Sequence, residues 1–461
     1  MSTIIFKCLD TASHYNATYK LAQELMNRNH RVIYLGHQSF KETIIRQGFE
    51  FYNHANFTTH EKAPEGNWIK KLIFRYKINQ QYKNYFLNGS PLEAAISKFK
   101  PDLMILDVSL SALFPILLEK KIKFMVFTTK VSLNKAPLVP PFTSSFIPKN
   151  NIWSRIQVAL LWQGRLLKNQ YAKLIDRIKF FGASNFELTK KYLQRNNYAP
   201  KEIINQNRVT HFGIKIAPEI ILSLQEFDFP REIENNQLYM CPCVNLSRNE
   251  LPMDHHISEI LLKSEKNSFE KIVYCSFGSY DSKYKMTRIM FLIKLLNVFL
   301  KKRNYLLLAS TGRDINPAWF NFNAPNIYLY QNLSQLEILS KCDLMINQGG
   351  MQSIQECILK EVPMLVYPLN PELDQEGNAA RVVYHGLGVR GNMIKDTEAE
   401  IDSKIEKVLQ ESTFKSNIKN LKARCLENDS FERGLNFIEA YITNPNSGIH
   451  TPKRNTWMHK R

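Results

Sequence analysis

The sequence predicts an α/β protein of two parallel-sheet domains, and three observations lead there. Cys342 to Gly388 reads CDLMINQGGMQSIQECILKEVPMLVYPLNPELDQEGNAARVVYHGLG, in which short apolar runs alternate with helical spacing. A strand, loop, helix, strand pattern opens the chain between Thr3 and Leu35. The length of 461 residues exceeds what one hydrophobic core ordinarily organises and suggests two domains of about equal size.

Within the long stretch, Leu344 to Ile346 form a short buried strand and Asn347 to Gly350 a tight turn. Met351 to Lys360 form a helix with Ile354, Cys357 and Ile358 on one face. A second strand follows at Met364 to Tyr367. The loop Pro368 to Gln375 then leads into a helix, Glu376 to Tyr384, that Gly386 can cap. Strand, helix, strand, helix is the unit of a parallel sheet. A helix that begins directly after Gly349 and Gly350 leaves backbone N–H groups and a partial positive charge where a phosphate can dock, although a Gly-Gly turn can equally be built for geometry alone. Ser353 and Glu356 lie near the start of that helix, and Asp374 and Gln375 come off the end of the next strand. All four project toward the C-terminal edge of the sheet, where open α/β sheets hold ligands. The set suits a nucleotide sugar: serine for phosphate, Glu356 for ribose, Asp374 and Gln375 for sugar hydroxyls.

The stretch resembles the donor-binding signature of the UDP-glycosyltransferases, an inverting family with two Rossmann-like domains facing each other across a cleft in the GT-B arrangement. Gly350, Ser353, Glu356, Pro363, Pro368, Asp374, Gln375, Asn378 and Ala379 match its pattern. Gln348 stands where the family has a phosphate-binding histidine and Gln352 where it has asparagine, and both still donate hydrogen bonds. Ile272 to Ser279, IVYCSFGS, matches the first strand of the family's nucleotide domain, whose turn, here Gly278 and Ser279, faces the donor phosphates. Leu306 to Ser310 is the next strand. Asn326 to Leu339 corresponds to the segment that holds the nucleobase, where Gln335 is retained, while Asn332 and Ser334 replace the usual aromatic and proline. The missing stacking ring weakens the expected grip on the base, and Tyr330 is a candidate substitute.

The first domain starts with a strand at Thr3 to Cys8, a polar loop at Asp10 to His14, a helix from about Asn16 to Arg28 and a strand at Arg31 to Leu35. It lacks the Gly-x-Gly-x-x-Gly turn of a dinucleotide fold. The resemblance implies a catalytic base at His14, and SHYNATYKLAQELMNRNHRVIYLG keeps His14, Arg28, His30 and Val32, with no proline after the histidine. An imidazole there can take the proton of an attacking hydroxyl, or merely cap the helix. KPDLMILDV places Asp107 at the C-terminal end of its strand, where the resemblance implies the partner of the base and where it can also cap a helix starting near Ser109. Further strands are expected at Lys123 to Phe127 and around Thr210 to Phe212.

At 44% hydrophobic and 22% charged, the composition is that of an ordinary globular protein. The net charge of +19 admits nucleic acid, an anionic membrane surface or a polyanionic ligand, and the chain contains no nucleic-acid recognition motif. Two basic, aromatic-rich helical segments, Trp68 to Phe86 and Asn151 to Phe181, suit either a lipid surface or an ordinary solvated face. Seven irregularly spaced cysteines look like reduced thiols, with Cys241 and Cys243 read as structural and no metal ligand set expected. The apolar run Ser2 to Leu9 is too short for a signal peptide, and no segment reaches membrane-spanning length, so a cytoplasmic protein is expected.

The expected organisation is an acceptor domain at 1–235, a linker at 236–250 and a nucleotide-sugar domain at 251–443. Helical patterns run from Ile401 to Cys425 and from Ser430 to Ile442, the latter packing back on the first domain, and a basic disordered tail takes up 444–461. The resemblance implies metal-independent, cofactor-free transfer of a hexose, with Gln375 pointing to glucose, from a UDP-sugar to a hydroxyl of a lipophilic acceptor. A non-catalytic scaffold and a UDP-sugar epimerase or hydrolase are the alternatives.

Overall fold

The computed structural model describes residues 1–54, 65, 67–88, 91–209, 212–250, 255–263, 269–278, 282–320 and 324–444. Ser279 and all of the expected tail beyond Asn444 lie outside these residues.

Two parallel sheets organise the chain. The first is built from β1 (Thr3–Lys7), β2 (Arg31–Gly36), β3 (Glu50–Asn53), β4 (Leu103–Asp107) and β5 (Phe124–Thr128). After a small antiparallel pair, β6 (Ile204–Asn205) with β7 (Gly213–Ile214), it gains β8 (Glu219–Ile221) and β9 (Gln237–Tyr239). Its order is β3-β2-β1-β4-β5-β8-β9. The second contains β10 (Lys271–Ser276), β11 (Tyr305–Ser310), β12 (Ile327–Tyr330), β13 (Leu344–Asn347), β14 (Met364–Val366) and β15 (Gly388–Arg390), in the order β12-β11-β10-β13-β14-β15. Helices cover both faces, so the strands carry unbroken apolar runs: every residue of β4, β5 and β13 is buried.

In each sheet the first strand sits between the second and the fourth, which leaves a crevice at its C-terminal end where the chain turns to opposite sides. Register fixes what meets there. Lys7 pairs with Leu106, so Cys8 and Asp107 leave β1 and β4 side by side. Ser276 pairs with Asn347, which brings the turn after β10 against the turn after β13.

The halves share apolar core, with Val108, Val131 and Leu133 in one cluster with Met351 and Ile354. Arg381 adds a buried ion pair, donating to Asp228 Oδ1 from Nε at 2.9 Å and from Nη2 at 2.7 Å. The last helix, Ser430–Thr443, packs on the first sheet, where Arg28 donates to Glu439 at 2.6 Å and to Asn436 at 2.8 Å. Lys123 Nζ caps that helix by donating to the carbonyls of Tyr441, Ile442 and Asn444.

Three expectations change. The helix expected from Asn16 runs from Ala12 to Asn27, because nothing in Ala12, Ser13 and His14 opposes helical dihedrals; His14 thus lies in its first turn rather than in the loop. Of the strand expected around Thr210 to Phe212, Thr210 lies outside the described residues, and the strand directly after it, β7, pairs with β6 and not with the seven-stranded sheet. Phe212 and Ile214 instead bury themselves beside Phe114, and the place next to β5 goes to β8. The single helical pattern from Ile401 to Cys425 is two helices, Glu398–Gln410 and Ser412–Glu427, split where Glu411 adopts extended dihedrals.

Candidate active site

The crevice of the first sheet holds His14 and Asp107. Two features place them: β1 and β4 are neighbours, and the helix after β1 starts only a few residues beyond its end. His14 Nδ1 is 2.5 Å from Asp107 Oδ2 across 93 residues of sequence. Asp107 is 1% exposed and His14 15% at the side chain. The carboxylate also accepts from Ser109 N at 2.8 Å and Leu9 N at 3.3 Å, so Asp107 caps the following turn and orients the histidine at once. Burial works against its ionisation, yet the facing His14 and these N–H donors outweigh it and hold the carboxyl below its usual pKa. A carboxylate on Nδ1 fixes the proton there and leaves Nε2 able to accept one.

The crevice of the second sheet holds the glycine-rich turn. Gly349, at φ +88°, presses its α-carbon face against the Gln375 backbone, where an added Cβ would sit 2.9 Å from the carbonyl oxygen. Around Gly350 a Cβ would meet nothing within 4 Å, which leaves the start of the Met351–Lys360 helix open to close approach. The Gln348 amide lies against Gly278, itself at φ +72°, so the two turns form one wall. Asn347 Nδ2 and Gln352 Oε1 are buried here with no hydrogen-bond partner among the described residues.

Glu356 is fully buried, and both its oxygens are occupied. Oε1 accepts from Arg248 Nη1 at 2.5 Å and Gln352 Nε2 at 3.0 Å, and Oε2 accepts from Gln335 Nε2 at 2.6 Å. Gln335 also reaches Ser353 Oγ at 3.2 Å, so Gln335, Gln352, Ser353 and Glu356 come together as the sequence suggested. Arg248 was not foreseen. Its other arm pairs with Glu250 at 2.5 Å, and although burial opposes its charge, these two carboxylates raise its pKa. The signal was visible as an Arg-Asn-Glu run at the junction, but its partner lies 108 residues away.

Asp374 and Gln375 flank the same turn in different roles. Gln375 Oε1 accepts from Leu369 N at 2.8 Å and Asn370 N at 2.7 Å, which commits its carbonyl end to the loop. Asp374 accepts from Asn378 at 2.8 Å, and Asn378 also donates to Gly349 O at 2.9 Å, tying helix to turn. Tyr330, the expected base-stacking substitute, lies with its hydroxyl 3.1 Å from His256 Nδ1. Cys241, expected to be structural, lies with Cys425 and Glu226, their ligand atoms within 4.8 Å of one another, while Cys243 Sγ contacts Ala17 O at 3.3 Å. Among the described residues no helix is long and apolar enough to cross a membrane.

The chain is 29% identical over 167 residues to the NDP-glycosyltransferase YjiC of Bacillus subtilis (strain 168), a match that covers 36% of this chain and only 40% of that protein. It is 22% identical over 398 residues to the zeaxanthin glucosyltransferase of Pantoea ananas, covering 84% of each. The solved glycosyltransferase of kitacinnamycin superimposes with a TM-score of 0.63 over 95% of this chain and 98% of that one, at 17% identity, a likeness of fold. The profile of the family described as UDP-glucoronosyl and UDP-glucosyl transferase matches residues 185–430, more than half of the sequence. With two facing Rossmann-like sheets and this match, the chain belongs to the UDP-glycosyltransferase family.

Proposed function

We propose that the protein transfers a hexose from a UDP-sugar to a hydroxyl of a lipophilic small molecule, with inversion and without a metal ion. The observation that supports this best is the His14–Asp107 pair in one crevice, with a glycine-rich helix N-terminus in the other. His14 Nε2 accepts the acceptor's O–H proton, with the resulting imidazolium stabilised by Asp107 through Nδ1. The freed oxygen forms a bond to the anomeric carbon from the face opposite the nucleotide. The bond from that carbon to phosphate breaks, and UDP leaves with the electron pair. Its growing charge is met by backbone N–H groups from Gly349 to Gln352, by Ser353 and by Gln348, with Gly278 beside them in the same wall. Arg248 adds a guanidinium to the same network, beside a site in which glutamine replaces the family's histidine. Glucose as the sugar rests on Gln375, and a lipophilic acceptor on the aromatic-rich segments of the first half.

The engagement of both Glu356 oxygens by Arg248, Gln352 and Gln335 favours one other reading, a non-catalytic relative that binds a partner enzyme. A thermal-shift titration with UDP, dTDP, GDP and UMP separates the two, because a ligand that binds only the folded chain raises its melting temperature. Stabilisation by UDP clearly above UMP supports a working diphosphate site. No shift with any nucleotide makes the scaffold the better reading.

A further inference from the structure

The long helix Ile152–Lys179 is amphipathic twice over. One face, with Ser154, Val158 and Trp162, is buried, and Trp162 donates to Val139 O at 2.7 Å. The opposite face carries Trp153, Ile156, Leu160, Leu167, Tyr171, Leu174 and Ile178, spaced by three and four residues with Gly164 filling the gap. All are exposed, from 45% at Ile156 to 76% at Trp153. At 28 residues the helix is about 42 Å long, so this is a continuous apolar stripe far larger than scattered surface hydrophobics. A second helix, Trp68–Asn88, extends it. Trp68, Leu72, Ile73 and Tyr76 are exposed, and the Tyr76 ring meets Phe181, just past the long helix, edge to face at 5.3 Å.

Charge decides what covers this face. The long helix carries six basic residues and one acidic, and the second carries five basic and none acidic. A second copy laid against the stripe would bring like charges together, whereas a surface of anionic headgroups would be attracted. An apolar stripe with Trp at helix ends and flanking Lys and Arg suits a helix lying in a bilayer interface, with its polar groups reaching the headgroups. Neither helix is apolar enough to span.

We propose that these two helices form a docking surface for an anionic lipid bilayer, on which the long helix lies parallel to the membrane plane. The surface is next to the candidate site: Lys168 Nζ lies 3.9 Å from Glu372, in the loop that leads to Asp374 and Gln375. An acceptor dissolved in the bilayer would then reach the cleft without crossing water. Docking itself does not depend on sugar transfer, and the test reads no turnover.

Full-length chain is co-sedimented with phosphatidylcholine vesicles and with vesicles containing phosphatidylglycerol. Binding is expected only with the anionic lipid, and it weakens as salt rises. Leu160→Glu/Leu167→Glu/Leu174→Glu, all at exposed positions, is expected to need at least about ten-fold more lipid for half-binding, with an unchanged melting temperature. Lys70→Glu/Lys71→Glu/Arg75→Glu is expected to weaken binding by about five-fold or more per charge removed. The proposal is overturned if the wild-type chain stays in solution with anionic vesicles, or if the triple leucine variant sediments with them as the wild type does. It is equally overturned if that variant turns a dimer into a monomer in sedimentation velocity while vesicles bind neither, because a second copy then covers the face.

Discussion

The two crevices are products of one topology, yet they are finished in different ways. In the first sheet, the site is a single contact between His14, in the first turn of the helix after β1, and Asp107, at the end of the neighbouring β4, oriented by two backbone donors. In the second, it is a network that runs from Arg248 through Glu356 to Gln335, Gln352 and Ser353, anchored on a contiguous turn and helix. The pair depends on strand order, so it is lost if either residue changes. The network distributes its hydrogen bonds over five side chains, which lets the donor turn absorb Gln348 and Gln352 without losing its shape. Under the proposed function the first crevice moves a proton and depends on two side chains, whereas the second presents N–H groups that the backbone supplies whatever the side chains.

That contrast can be broken most sharply at His14. With His14→Ala, transfer is expected to fall by about a hundred- to ten-thousand-fold while the thermal shift with UDP stays as in the wild type; loss of both would mean that the two crevices are not separable. Next comes the ion pair that ties the halves together. Arg381→Met leaves the buried Asp228 with Arg231 Nη1 at 3.5 Å and the Tyr239 hydroxyl at 3.3 Å as partners, so the loss should be about 1.5–3 kcal/mol in chemical denaturation; a change below about 1 kcal/mol, the range of exposed pairs, would show that this pair adds little to the contact between the halves. At the donor turn, Gln348→His is expected to strengthen UDP relative to UMP by about three- to ten-fold, because a charged donor adds more than a neutral amide; unchanged discrimination in the same titration would leave the backbone as the sole phosphate ligand.

The smallest effect concerns acid. The Asp107 carboxyl is held below its usual pKa in the folded chain, so its ionisation contributes stability above about pH 4, the unfolded value, and that contribution disappears as pH falls through the folded value. The melting-temperature difference between the wild type and Asp107→Asn should therefore shrink as the pH falls below about 4. Asparagine keeps an acceptor for Ser109 N, so a constant difference would assign the effect to the altered hydrogen bonding of the side chain rather than to its charge.

Much of the second half was legible from residues 342–388. Its apolar runs, glycines and proline set strand, turn and helix locally, and Glu356, Ser353 and Gln335 indeed meet. The boundaries of His14's helix and the break at Glu411 were not legible, since helix ends depend on caps and on what the flanking residues tolerate. Nor was the fate of Phe212, which was expected in a strand of the sheet but whose ring fills the space beside Phe114. Arg248 was invisible in its role because a run at a domain junction says nothing of a partner 108 residues on.

By itself the sequence determined the α/β class and the glycine turn with its open helix start, because dihedral preference and hydropathy period are local properties. Only the tertiary structure decided that Asp107 faces His14, that Glu356 is closed by Arg248, that Cys241 lies beside Cys425, and that the stripe from Trp153 to Ile178 faces outward. These depend on strand order and on packing between the halves, which no single segment encodes.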